Sequence, residues 1–433
     1  MTRVNSNKEC DKGDSRMADI ISGKSRFNGD KKAPIHKVVN ISGVQAAEDL
    51  DEQAVRQRIK NHRRHVLIVL AIVAVVVVAA IFIVRRIIDN TTYTTYSVRN
   101  SVNRDDTETA SYMGFGEGYI RYSNDGISYF DEKGKAIWNQ TYSMQKPQVK
   151  TCQDKLAVGD LNGNQIYVFD EKGLMGKVEV PLSISQIEVG KQGVVAAILE
   201  DNNANYINLY SANGEKLYTV KTTLSGDGYP VDISISDDAK KLIASYIYVS
   251  GETMNTNVVF YNFSDVGQNE TERVVGGFNH YGSTIVGDVQ FVTDTAAVAV
   301  GENVVTIYKM KEYPSIAKEF TVDNEIERVF FSNQYIGLLM NNADSGELYK
   351  LEVYDISGSK EFETTFNTQY NRFQFDGNSV VMNNATSFHV MNMSGKTLTM
   401  QNVDLPLNTI IATGNRGKYI MVNSKYIQNI RMK

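Results

Sequence analysis

The chain of 433 residues is 42% hydrophobic and 22% charged, with 32 Gly, 6 Pro and 2 Cys, which excludes a collagen-like chain, a chain disordered throughout and a disulfide-held scaffold. Its formal charge of −5 is unevenly divided, since residues 1–65 carry +5 and residues 85–433 carry −10. An acidic major region leaves no electrostatic footprint for nucleic acid.

Residues 1–43 are polar and without sustained periodicity, the composition of a disordered tail. Over 44–65, Val44, Ala47, Leu50, Ala54 and Ile59 recur at near-helical spacing, with acids preceding bases, as expected of a juxtamembrane helix. Residues 66–84 then read VLIVLAIVAVVVVAAIFIV, 19 positions without a charge, Gly, Pro or hydroxyl. At 1.5 Å per residue such a run is about 28 Å long, close to the roughly 30 Å hydrocarbon core, and predicts one transmembrane helix. It starts too far into the chain, is too long and lacks the small-residue cleavage site of a signal peptide. Five basic residues (Arg56, Arg58, Lys60, Arg63, Arg64) precede the run within fifteen positions and three (Arg85, Arg86, Arg99) follow it, which orients the N-terminus to the cytoplasm and the rest outside the cell. Cys10 and Cys152 then lie on opposite sides of the membrane and cannot pair with each other.

Residues 85–110 are hydroxyl-rich and read as a stalk with one short strand near Tyr93 to Val98. From about Ser111 to Lys433 the period is two, and a unit of short strands and Asn/Asp/Gly turns recurs. Its clearest copies carry turn glycines at Gly134, Gly173, Gly214, Gly358 and Gly395, and weaker copies lie near Gly267 and Pro314. A period near forty residues built of four strands predicts an all-β propeller over 111–433. Seven units are complete, and three strands remain after Leu407; a fourth from Tyr93 to Val98 would close an eighth blade. Eight blades is the expectation, with seven as the alternative. Pro147, Pro181, Pro230 and Pro406 each fall where a blade's first strand would begin.

The stretches LAVGDLNGNQIYVFDEKG and VDISISDDAKKLIASY resemble the repeats of quinoprotein-like and other propellers. With its tail, span, hydroxyl-rich segment and blades, the chain resembles a family of single-pass, cell-surface propeller proteins of Gram-positive Clostridia. The resemblance implies a fold and a location but no chemistry. Quinoprotein enzymes carry a tryptophan-docking pattern in most blades, whereas Trp138 is the only Trp here, so no cofactor is expected.

Catalytic patterns are sparse. Beyond the span the imidazoles are His280 and His389, too few for a zinc site and placed in different blades. Ser357 to Lys360 matches S-x-x-K but sits in a turn, and Gly114, Gly116 and Gly118 precede no helix. Asp160, Asn162 and Asn164 resemble the opening of a calcium loop, yet Gln165 stands where Gly is required; a tight turn is the simpler reading, and no metal is expected. What does repeat is an amide- and acid-rich set of turns between second and third strands. The candidate binding residues there are Asp125, Asp160, Asn162, Asn164, Asp201 and Asn203, with Tyr229, His280 and Tyr281 as aromatic platforms in the connecting loops. The expected protein is thus a membrane-tethered, non-enzymatic scaffold or sensor binding a protein or glycan of the cell envelope. The alternative is a surface lyase or quinone-dependent oxidoreductase, which needs convergent charged side chains at the central channel.

Overall fold

The computed structural model describes residues 42–106, 109–342 and 346–433, with helix side chains from Val55 onward. Cys10 and nearly all of the expected tail lie outside these residues. The chain divides into two compact units, 1–80 and 81–433. A single helix, Ser42–Asp89, covers the juxtamembrane and apolar segments. Its stretch Val55–Asp89 contains an 18-residue window with a mean hydropathy of 3.6 and no buried residue, and is long and apolar enough to cross a membrane.

All strands that follow pair antiparallel in eight four-stranded sheets. Seven blades are continuous in sequence: residues 111–141, 147–179, 183–223, 229–278, 286–321, 326–366 and 372–402. The eighth joins Leu407–Ala412, Lys418–Asn423 and Tyr426–Met432 to Tyr96–Asn103, which lies outermost and is in register with Tyr426–Met432 from Tyr96↔Met432 to Asn103↔Tyr426. The fold is therefore an eight-bladed β-propeller preceded by one apolar helix. Eight blades prevail over seven because a strand from the N-terminal side completes the last sheet and leaves no gap in the ring.

The core lies between blades, where alternate residues of facing sheets interlock. Trp138, in the outermost strand of blade 1, stacks on Phe169 of blade 2 with centroids 4.9 Å apart and planes 5° from parallel. The second strands set the blade spacing. Ala197, Ala244 and Ala299 pair with the inner-strand residues Ile187, Ile233 and Val289 of blades 3 to 5. In blades 6 to 8 Leu338, Met382 and Met421 take that position opposite Val329, Phe373 and Ile410. Small residues let sheets approach and large ones hold them apart, so the ring is tighter on one side.

Strand direction fixes two faces. In each blade the first–second and third–fourth turns lie on one face, called lower here; the second–third turns and the blade-to-blade connections lie on the other, upper face. Residues 89–95 join the propeller from below. Asn392 Nδ2, at the third–fourth turn of blade 7, donates to Asp89 O at 3.0 Å, and Lys396 Nζ donates to Asn90 O at 2.8 Å. Tyr93 N donates to Leu398 O at 2.7 Å, and Tyr93 and Tyr96 pack on the core between blades 7 and 8. The segment expected as a stalk is thus bound to the propeller from Asp89 onward.

Candidate binding faces of the propeller

Every candidate residue from the sequence maps to the upper face, along an arc from blade 1 to blade 5. Asp125, Asn162, Asn164, Asp201, Asn203 and His280 are exposed there. Several of them already serve the fold. Asp160 Oδ1 accepts from Gln145 N and Lys146 N, each at 2.9 Å, fixing the connection between blades 1 and 2. Asn162 has φ +67°, and its N–H donates to Ile184 O at 2.8 Å. Asp201 Oδ1 accepts from Asn202 N at 2.7 Å. Tyr229 is 42% exposed and donates its hydroxyl proton to Glu200.

Two expectations need correction. Tyr281 is not a platform: it is 8% exposed, and its hydroxyl shares a hydrogen bond of 2.5 Å with Tyr308, deep in the core between blades 4 and 5. The ring is drawn inward because Phe278, Phe260 and Tyr308 offer an apolar site there. His280 stacks over it at 4.3 Å and stays outside, with Nε2 2.7 Å from Glu319 Oε2. Blade 4 departs from the amide-rich turns expected between second and third strands: its Asn255 and Asn257 lie within the strand Thr253–Asn262. The actual turn is Gly251-Glu252, because both strands of this hairpin are ten residues long.

That length matters, since the matching strands of the other blades run five to seven residues, as in Val195–Glu200 and Ala204–Tyr210. The blade 4 hairpin therefore stands above the upper face. Its cross-strand pair Val249↔Met254 is 72% and 56% exposed. Leu224, in the connection leading into blade 4, is also exposed, as is Tyr229 at the start of the blade. Glu252, in the turn itself, and Asp227, in the connection leading into blade 4, are exposed acids flanking this apolar pair in sequence. The sequence signal was an alternation running on through KLIASYIYVSGETMNTNVVFYN, about three residues per strand longer than its counterparts.

A mixed set of amide and charged side chains converges on the central channel, although no sequence motif announces it. They occupy equivalent inner-strand positions, just before the core residues Val149, Ile187, Ile233, Val289, Val329 and Phe373: Gln148, Gln186, Asp232, Asp288, Arg328 and Arg372. From blade 2 to blade 5 they latch each inner strand to the next. Gln148 Oε1 accepts from Ile187 N at 2.9 Å, and Asp232 Oδ2 accepts from Val289 N at 2.7 Å. Gln186 Nε2 donates to Asp232 Oδ1 at 2.6 Å. Burial outweighs these bonds and pushes the Asp232 carboxyl up to about 7. One step below, Lys150 forms an ion pair with Glu188. On the opposite side of the ring a cavity of about 350 Å³ opens between the inner strands of blades 6, 7, 8 and 1.

The matched segment of the chain begins at the last residue of the helix and ends with the closing sheet: a family model described as a family of unknown function (DUF5711) matches residues 89–432. This chain belongs to the DUF5711 family. The boundary of the DUF5711 match coincides with the ordered junction at Asp89, so the family unit is the closed propeller with its N-terminal strand. No curated protein sequence matches the chain. Among solved structures it is similar to BamB from Moraxella catarrhalis, with 11% identity and a TM-score of 0.51 over 78% of this chain and 100% of that one. The Chaetomium thermophilum Sqt1 bound to the N-terminus of the ribosomal protein L10 is similar at 10% identity and a TM-score of 0.48, covering 80% and 97% of the two chains. Citrobacter koseri AztD is similar at 10% identity and a TM-score of 0.47, covering 68% and 86%. At these identities the BamB likeness shows the propeller fold alone.

Proposed function

We propose that this DUF5711 protein is a membrane-anchored binding scaffold or sensor, its propeller outside the cytoplasm and its upper face presented to a protein partner of the cell envelope. The observation that carries the reading is the opposition of two features. The chain reaches the propeller through Asp89 on the lower face, while the exposed Val249↔Met254 tip stands on the upper one. A large apolar pair held in water by a well-paired hairpin is costly unless something covers it. The exposed acids flanking it in sequence favour a partner whose apolar contact residues are flanked by Lys or Arg. The apolar helix, the excess of basic residues before it and the −10 charge beyond it support the membrane anchoring and the orientation. No catalytic step is assigned: Gln148, Gln186 and Asp232, the inner-strand residues of blades 2 to 4, are engaged in latching one blade to the next.

The test is photo-crosslinking in intact cells from a probe at Glu252, compared with the variant Val249→Ser with Met254→Ser. Capture of a defined protein that disappears in the double variant, at an unchanged melting temperature, supports the reading. Capture that persists, or capture of polysaccharide alone, refutes it in this form. The side of the membrane is tested separately, by reaction of denatured Cys152 with an impermeant maleimide before and after lysis.

A further inference from the structure

We propose that the cavity between the inner strands of blades 6, 7, 8 and 1 is a binding site for a small oxyanion, a carboxylate or a phosphate, borne on an apolar body. The inference goes beyond the partner-binding reading and does not depend on the blade 4 hairpin.

Its lining combines two guanidinium groups with neutral and apolar side chains and, among the described residues, contains no carboxylate. Arg328 and Arg372 stand at equivalent positions of adjacent inner strands, Ile326–Phe331 and Arg372–Phe375. Arg328 is held in place by donating from Nη1 to Asn371 O at 3.1 Å, a neutral partner. Arg372 has no side-chain hydrogen bond or ion pair with a described residue. In a region of net charge −10, two arginines line one cavity, and neither forms an ion pair with a carboxylate among the described residues. The acids of the channel do not supply one. Asp232 is committed to Gln186 and Val289, and the charged neighbour acting on Asp288 is Lys150. The buried or half-buried lysines elsewhere that face a carboxylate are paired with it, Lys150 with Glu188 and Lys350 and Lys360 with Glu352.

The remaining wall fits such a ligand. Gln374 and Thr409 add polar groups, and the rings of Phe330 and Phe373, 5.6 Å apart, add an apolar face. Guanidinium forks match carboxylate and phosphate in a two-pronged geometry. A volume of about 350 Å³ is that of a small-molecule pocket. The mouth opens upward, because Arg372 is the first residue of its strand and follows a blade-to-blade connection. The second strands behind it carry Leu338, Met382 and Met421 where blades 3 to 5 carry alanine.

The test is isothermal titration calorimetry on the full chain in detergent micelles, with benzoate, inorganic phosphate and uncharged benzyl alcohol as probes. One-to-one binding of benzoate, weakened at least about tenfold in R328Q and in R372Q and absent with benzyl alcohol, supports the site with a carboxylate ligand. Binding of phosphate but not benzoate, with the same loss in both variants, supports it with a phosphate ligand. R372K guards against a folding effect, since it keeps the charge but loses the fork and is expected to fall between wild type and R372Q. The proposal is overturned if neither anion binds the wild type, or if binding survives in the variant lacking both arginines. Binding of benzyl alcohol as tight as that of benzoate overturns it as well.

Discussion

Arg416 donates from Nη1 to Asp89 Oδ1 at 2.5 Å, tying the last residue of the helix to the first–second turn of blade 8. Beside it the buried Asn392 donates to Asp89 O and accepts, at Oδ1, from Ser394 N, Ser394 Oγ and Lys396 N. The two anchors differ in solvent exposure, and so in worth. Arg416→Ala removes a partly exposed ion pair and is expected to cost less than about 1 kcal/mol. Asn392→Ala strips a turn and a helix end of their partners at a buried position and is expected to cost about 2 kcal/mol. Urea denaturation of the full chain in micelles checks both.

The corrected position of Tyr281 separates core from surface. Tyr281→Ala empties an aromatic site beside Tyr308 and Phe278 and is expected to destabilise by about 3–5 kcal/mol. Tyr229→Ala, at a largely open position, is expected to change stability by less than about 1 kcal/mol. Melting temperatures of the two variants decide it; equal losses would return Tyr281 to the surface.

Two buried groups tilt the pH profile in opposite senses. Burial raises Asp232 to about 7 and lowers His389 to about 4. Between about pH 4 and 7 Asp232 keeps its proton in the fold and loses it on unfolding, so rising pH removes up to about 4 kcal/mol of stability. His389 stays neutral in the fold while the unfolded chain charges, so falling pH between about 6.5 and 4 removes up to about 3 kcal/mol. Asp232→Asn should therefore gain on the wild type as pH rises from about 5 to 7, and His389→Gln as pH falls from about 6.5 to 4.5. Urea midpoints across that range report both slopes; parallel profiles would refute the assignment.

Ring closure by Tyr96–Asn103 makes its own prediction. A chain starting at Asp89 is expected to fold, whereas one starting at Arg104 leaves the Tyr426–Met432 edge unpaired and is expected to aggregate. Cys152 reports the outcome, since its thiol is buried and raised to about 12 by desolvation. Maleimide labelling should be slow in the first chain and rapid in the second.

The sequence carried the architecture further than the site. Turn glycines such as Gly134, Gly173 and Gly214, which adopt φ of +83°, +133° and +89°, mark the blades because few other residues take those angles. The closing strand was legible from the three leftover strands after Leu407. Surface and core aromatics were harder to separate: Tyr229 and Tyr281 occupy similar loops, and only packing in three dimensions turns one outward and the other in. Arg328 and Arg372 escaped notice because they are 44 residues apart in sequence; only the closed ring places them on one wall. The length of the blade 4 hairpin was visible in its alternation, but the Asn residues within it imitate a turn.

The closing strand also sets an order of events during synthesis. Tyr96–Asn103 follows directly on the helix and emerges early, while its partner Tyr426–Met432 is the last strand to be made. For the whole interval the first strand must wait with its hydrogen-bonding edge unfilled. Each completed blade can stack on the one before it, but the toroid locks only when Tyr426–Met432 arrives. A ribosome stalled just before that strand would leave behind an almost finished and still adhesive intermediate.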